Sequence, residues 1–354
     1  MEPYVLSGVP STLALEEILT IDTEKEETVK TGLTSIESFC LDRDGNIYFM
    51  MRDTSENFIY KFDAAGKYVK SFGHKGQGPG EFGFGGTVII DGEGRLLAKD
   101  MTKKKCRVFT PDGVYLEDID LGMYLQIDRL LANKTFFAWD RDDSSERPVR
   151  IDHFRISDAG LRSSREFYTY EFPDMYEAPR YVEKGSAIIS GATADHIFIG
   201  DSRDGYVIRV FDPSGKLVRK IRKDFRPVPM AEEYKAMFRK RWEQMGGEGV
   251  EMLKKISFAA NLPPFRYLFT DDDGRLFVMT NEREGERAYW YDIFTKDGVF
   301  IGRFKLDNIQ VNEIEGRRYI DLPLGVKTQG DRLYCLREKD SGYIALTIYK
   351  MTWN

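Results

Sequence analysis

The sequence predicts an all-β repeat fold, a six-bladed β-propeller with four-stranded antiparallel blades, on three observations. The first is a family of strand–turn–strand runs: FDAAGKYVKSFG from Phe62, FTPDGVYLEDIDLG from Phe109, ISDAGLRSS from Ile156, FDPSGKLVRKI from Phe211 and FTKDGVFIGRF from Phe294. Their turn glycines, Gly66, Gly113, Gly160, Gly215 and Gly298, recur at the period of about 40 to 50 residues that a four-stranded blade needs, and the long gap before Gly298 requires an insertion. The second is another turn family half a repeat away, in DRDGNIYFM from Asp42, DGEGRLLAK from Asp91, TADHIFIGD from Thr193, DDDGRLFVM from Asp271 and QGDRLYCL from Gln329. Each sets a polar turn before an alternating apolar strand, the signature of a hairpin. The third is that the last repeat is one strand short, which calls for a strand from elsewhere to close the ring.

Taken in order, TLALEEILTID from Thr12 to Asp22 has strand character and is read as that missing outer strand, over residues 11–22. Blades follow at about 35–72, 86–120, 125–170, 186–222, 265–306 and 320–350, with one domain over residues 1–354. Between blades 1 and 2 lies Phe72–Phe82, FGHKGQGPGEF. Four glycines and a proline in eleven residues exclude a helix or a central strand and demand an exposed turn with residues at positive φ. Blade 3 has only the weaker hairpin LANKTFFAWD from Leu131. From Met230 to Phe258 the period changes: Tyr234, Met237, Phe238, Trp242 and Met245, then Val250, Leu253 and Ile256, recur at three- and four-residue steps. With Pro227 and Pro229 before it, Gly246 and Gly247 within and Pro263 and Pro264 after, the stretch at about 227–262 predicts two short amphipathic helices with a hinge.

The Phe72–Phe82 segment resembles the signature that follows many NHL-type repeats of six-bladed β-propellers, in which an outer strand ends in FG and a GxGPGxF segment leads to the next inner strand. The repeat pattern is similar, over essentially the whole chain, to the NHL-like family of bacterial envelope proteins, secreted or lipid-anchored. The resemblance implies the fold and a periplasmic or cell-envelope location, that of a lipoprotein included. It implies no catalytic residues. The N-terminal MEPYVLSGVPS has no charged n-region, apolar h-region or lipobox cysteine.

Composition bounds the function. At 42% hydrophobic, 31% charged and 13% aromatic residues, the chain is neither disordered nor rich enough in apolar runs for a membrane helix. A net charge of −6 and pI near 5.4, with no basic tail, argue against nucleic-acid partners. Cys40, Cys106 and Cys335 fall in strand-like runs of different repeats and are expected to be buried free thiols.

In a propeller the inter-blade connections and the second-to-third-strand loops share one end of the channel, and loops on a rigid scaffold are where binding resides. At that end the sequence offers Glu37, Gln126, Asp128, Arg129, Arg180, Tyr181, Glu183, Arg266, Tyr267, Arg318 and Tyr319, with the helical stretch, Trp242 included, as a lid. Arginine gives forked donors and tyrosine a flat amphipathic face, a pairing suited to a carboxylate, phosphate or sugar. The bland alternative is a solvated rim in which the arginines pair with Glu37, Asp128 and Glu183. The expected function is a non-enzymatic, monomeric binding module for a small molecule, glycan or protein, with no cofactor. The alternative is a lactonase-like hydrolase or lyase that holds a divalent cation through Glu37, Asp128, Glu183 and Asn261. His74, His153 and His196 are too dispersed for a histidine zinc site, and neither a P-loop, a GxSxG elbow nor HExxH occurs.

Overall fold

Many hairpins begin at an aspartate or threonine whose side chain satisfies the turn, threonine at Thr110, Thr193 and Thr295. The Asp63 carboxylate accepts hydrogen bonds from the backbone N–H groups of Ala65 and Lys67 at 3.0 and 2.8 Å. Gly66 then takes φ 78°, a left-handed turn conformation that glycine adopts without steric cost. The same aspartate-to-backbone pattern recurs at Asp42, Asp91, Asp212 and Asp271. In the Asp158 hairpin of blade 3 the turn runs one residue longer, and the left-handed residue is Leu161 (φ 56°) rather than Gly160. The weaker blade 3 hairpin at Leu131 also turns on a non-glycine residue, Lys134 at φ 63°.

The computed structural model describes residues 12–121, 125–142, 149–173, 180–183, 187–285, 288–307, 325–339 and 341–354. Six four-stranded antiparallel sheets are arranged as blades. From inner to outer strand, blade 1 is Ser38–Leu41, Ile47–Met50, Asn57–Phe62 and Tyr68–His74. Blade 2 is Gly85–Ile90, Leu96–Asp100, Lys105–Phe109 and Tyr115–Asp120. Blade 3 is Gln126–Leu130, Phe136–Asp142, Val149–Ser157 and Ser164–Pro173. Blade 4 is Ile188–Ala192, Ile197–Asp201, Val207–Phe211 and Leu217–Arg222. Blade 5 is Phe265–Thr270, Leu276–Glu284, Ala288–Phe294 and Phe300–Asp307. Blade 6 is Val326–Gln329, Arg332–Glu338, Ile344–Trp353 and, from the other end of the chain, Leu13–Asp22.

That last pairing is antiparallel from Leu13 opposite Trp353 to Asp22 opposite Ala345, with a bulge between Glu17 and Leu19. The expected strand closure is therefore present. The apolar core is divided among the blade interfaces, one cluster for each adjacent pair including blade 6 against blade 1, so the ring has no open seam. Burial of aromatic and aliphatic side chains between sheets is the main stabilising term of such a ring, each fully buried side chain contributing about 1.5–3 kcal/mol.

The glycine-rich loop is structural at both ends. Phe82 is fully buried and stacks on Phe109 at 6.0 Å, while Gly73 and Gly80 take positive φ. The Glu81 carboxylate accepts from the Gly78 N–H at 2.7 Å, and a Cβ on Gly76 would stand 2.0 Å from that carboxylate. The glycines thus let the loop close on its own glutamate.

Cys40, Cys106 and Cys335 are free and buried in blades 1, 2 and 6, and burial pushes the thiols of Cys40 and Cys106 up to about 12. Since the thiolate is the reactive form, all three should react with a thiol reagent far more slowly in the native protein than in denaturant. Rapid native labelling of all three would contradict the packing described.

The insertion forms two helices, Glu232–Gln244 and Gly247–Lys255, with Gly246 at φ 78° between them. It is fixed to the scaffold by a short strand, Ile256–Phe258, which pairs in parallel with Tyr181–Glu183 of the connection between blades 3 and 4. Among the described residues no helix is long and apolar enough to cross a membrane.

Candidate functional site

The inner strands enclose the channel, and at their C-terminal ends they leave a cavity of about 360 Å³. All six blades contribute: Cys40 and Leu41, Ile89 and Ile90, Asp128 to Leu130, Ser190 to Ala192, Tyr267 to Thr270, and Val326 to Gln329. Asp272 and Gln329, at hairpin turns, also line it, so the cavity lies toward the turn end of the channel. The sequence places the mouth at the opposite, connection end. The difference arises because Arg129 is the penultimate residue of its strand and Tyr267 stands midway along its own, both beyond the strand starts that face the connections.

Two irregularities shape this wall. The register of blade 3 shifts between Ile127 and Arg129, and that of blade 5 between Phe265 and Tyr267. In a regular strand successive side chains face opposite sides, whereas a bulge re-aims them, which lets Asp128 and Arg129 both line the cavity. Gly191 permits blade 4 to approach blade 5, since a Cβ there would meet Leu268 Cδ1 at 2.5 Å.

The rim is held by side chains that reach from blade to blade. The Thr328 hydroxyl donates to the Thr270 carbonyl at 2.9 Å, the Thr270 hydroxyl to the Ala192 carbonyl at 3.2 Å, and the Gln329 amide to the Asp42 carbonyl at 2.8 Å. The Asp272 carboxylate accepts from the Gly330 N–H at 2.7 Å.

Within this frame the charged groups are enclosed by protein yet open to the channel. Asp128 and Lys327 are half-buried and Arg129 is exposed. Burial raises the Asp128 carboxyl above its ordinary value, against the pull of Lys327 and Arg129. Burial also lowers the Lys327 ammonium, partly opposed by Cys40 and Asp128. Burial raises the Tyr267 phenol well above its usual range, so the group stays a neutral donor and acceptor. Lys327 also lies 5.7 Å from the centre of the Phe39 ring.

The remaining sequence-predicted residues stand elsewhere. Glu37 is taken by Arg52 in a two-point ion pair at 3.0 and 3.1 Å. Glu183 accepts from the Tyr234 hydroxyl at 2.7 Å, which ties helix to connection. Arg266 donates to the Tyr289 hydroxyl at 2.7 Å and lies over that ring. Arg180 is exposed beside the strand in which Tyr181 pairs with Ile256. Arg318 and Tyr319 lie outside the described residues. Trp242 is 8% exposed inside the helix pair, where Gly249 allows contact: a Cβ at that glycine would be 1.9 Å from the Trp242 carbonyl oxygen. The tryptophan packs 6.1 Å from Phe238, and Phe238 packs 5.4 Å from Phe258, so the apolar stripe is largely consumed within the insertion. No residue of 227–262 lines the cavity.

Sequence reasoning missed Lys327 altogether. It sits in Val326–Gln329, a four-residue strand too short for its alternation to be diagnostic. Among the described residues no three His, Cys, Asp or Glu side chains group as a metal site. The carboxylates proposed for a divalent ion are dispersed, with Glu37 on Arg52 and Glu183 on Tyr234. They do not fit such an ion.

The model of the DUF5128 family, described as a 6-bladed beta-propeller, matches residues 12–180. No curated protein sequence matches significantly. Among solved structures, the fold is similar to that of a Bacteroides fragilis protein described as exported, at TM-score 0.53 and 13% identity, covering 99% of this chain and 98% of that one. It is similar also to a member of the DUF4221 family from Bacteroides vulgatus, at TM-score 0.51 and 10% identity, covering 98% of this chain and 100% of that one.

Proposed function

The chain is a six-bladed β-propeller, and we propose that it works as a non-enzymatic binding module that holds a small ligand in the channel. The observation that carries this reading is the cavity itself: a space of about 360 Å³ walled by all six inner strands, with Asp128, Arg129, Tyr267 and Lys327 among the residues that line it. Ligand sites are concave, largely pre-formed and provided with a few convergent polar groups among apolar ones, and span roughly 300–1,000 Å³. The wall is also rigid, since its threonines and Gln329 are bonded to neighbouring blades. Preformed walls bind with little ordering cost.

Among the described residues a hydrolytic reading finds no support in a grouped metal site. The thiols are buried, and of the carboxylates a metal would need Glu37 and Glu183 are engaged by Arg52 and Tyr234, apart from Asp128 in the cavity wall. A location at the cell envelope is part of the proposal; the description of the Bacteroides fragilis neighbour as exported supports it.

A fragment screen read by thermal shift tests the reading. A fragment that binds only the folded form stabilises it by about 2.7 kcal/mol at a hundred times its Kd. Hits are expected to compete with one another and to lose their effect in Tyr267→Ala. Hits indifferent to Tyr267→Ala, or turnover of a lactone by protein carrying a stoichiometric metal ion, would overturn it.

A further inference from the structure

We infer that the channel cavity is selective for a small organic carboxylate, bound by Arg129 and Lys327 from opposite blades. The inference rests on the reading of the channel as a ligand site and names what that site takes.

The argument begins with unused bonding capacity. Arg129 belongs to blade 3 and Lys327 to blade 6, which lie across the ring from each other, and both line the same cavity. Neither has a hydrogen-bond or ion-pair partner among the described residues, although enclosed cations elsewhere among them are paired, as Arg107 is with Asp100 and Asp118, Arg141 with Asp152 and Arg209 with Asp204; Lys327 is half-buried and Arg129 exposed to the channel. Enclosed cations ordinarily acquire such partners, because lost hydration has to be replaced. An arginine left open presents a planar fork matched to a carboxylate, and a lysine adds a point charge with up to three donors.

Charge and size narrow the class. Asp128 and Asp272 line the cavity with the two cations, so the four side chains sum to zero when both carboxylates are ionised, with Asp272 at the turn end on the Gly330 N–H. A monoanion adds the least negative charge to that set, whereas a phosphate dianion adds twice as much beside Asp128. Among the other polar residues of the wall, Thr270, Thr328 and Gln329 are bonded to neighbouring blades, while Tyr267 and Ser190 suit a hydroxyl or carbonyl on the same molecule. Leu41, Ile89, Ile90, Leu130 and Phe269 limit the space, and at about 360 Å³ the cavity stands near the lower bound of ligand pockets. A small hydroxy- or oxo-carboxylate fits these constraints better than an oligosaccharide or a peptide.

The test is calorimetric titration of the whole protein at low ionic strength with acetate, glycolate, glycerate and malonate, with inorganic phosphate and glycerol as separate arms. Carboxylates are expected to bind, and glycerol and phosphate to bind at least tenfold more weakly. In Lys327→Met and in Arg129→Gln the carboxylate affinity should fall about 10- to 100-fold, the loss typical of one hydrogen bond to a charged group. Lys327→Met removes an unpaired half-buried charge and Arg129→Gln an unpaired exposed one, so both should keep the wild-type melting temperature, which separates loss of binding from loss of fold. Glycerol binding as tightly as the carboxylates, phosphate binding more tightly, or undiminished carboxylate binding in both variants would overturn the inference while leaving a channel ligand site in place. If no arm binds, the inference fails, and the fragment screen decides separately on the channel as a site.

Discussion

Deleting residues 12–22 is expected to lower the melting temperature by about 10 °C or more and to make the protein prone to association. The segment supplies the whole outer strand of blade 6, bonded along Ile344–Trp353 from end to end. Its side chains also reach two interfaces. Leu13 and Leu15 pack on the core between blades 5 and 6, while Ile21 is buried in the core between blades 6 and 1, where Leu19 packs at its edge. Leu19 further rests on the hairpin turn of blade 1, close enough that a Cβ on Gly66 would stand 2.6 Å from its methyl. A single buried isoleucine accounts for about 1.5–3 kcal/mol, and the partly buried leucines and lost strand pairing bring the sum to several kcal/mol. At roughly 2–4 °C per kcal/mol for a large domain, a shift of about 10 °C follows. The exposed edge of Ile344–Trp353 would then offer unpaired N–H and C=O groups to another chain. A truncated protein that melts with the full one and stays monodisperse would show that the pairing contributes little.

The second large effect is expected at Arg107. Its side chain is 1% exposed, with Nη2 on the Asp100 carboxylate at 3.1 Å and Nη1 on Asp118 at 2.9 Å. Its guanidinium also lies 5.1 Å from the centre of the Phe82 ring, so the residue joins the glycine-rich loop to the strands of blade 2. Arg107→Ala strands the fully buried Asp100 without its cation and opens space beneath Phe82. Removing one partner of a buried pair typically costs about 3–5 kcal/mol, read as a lower midpoint of chemical denaturation. Asp100→Asn with Arg107→Met should recover much of that loss, since no charge is then left buried; a double variant no better than Arg107→Ala would contradict this account.

The same pair makes the fold acid-sensitive. Burial tends to raise the Asp100 carboxyl, but hydrogen bonds from Thr102 and the Gly83 N–H, with the charge of Arg107, outweigh it and leave the value lowered. Asp118 is lowered on the same pattern, by hydrogen bonding to Arg107 and by its charge. A carboxyl lowered in the folded state contributes stability that is full above the unfolded value, about 3.9, and is lost as pH falls through the folded one. The double variant should therefore lose less stability than the wild type below about pH 4.

How much was legible in the sequence depends on how local the cause is. The Asp/Gly turns are local, each aspartate bonding its own backbone two and four residues on, so blade boundaries came within a few residues, and the strand deficit of blade 6 led to Leu13–Asp22 by counting alone. The two helices followed equally from their period. What escaped was the facing of individual side chains. A bulge at Asp128 or Arg266 leaves no mark in composition, yet it decides which of two neighbours enters the channel. Glu37 looked available because Arg52 lies across a hairpin from it. The stripe of Tyr234, Phe238 and Trp242 looked like a lid face but covers its own partner helix and the Phe258 strand, because Gly249 lets the helices meet.

The most direct test of the channel as the ligand site is an experimental structure of the protein soaked with the strongest hit of the thermal-shift screen. The account predicts density among Arg129, Tyr267 and Lys327, at the turn end of the inner strands. Density at the connection end, against Arg180, Arg266 and the helices of residues 232–255, with the channel unchanged, would contradict it.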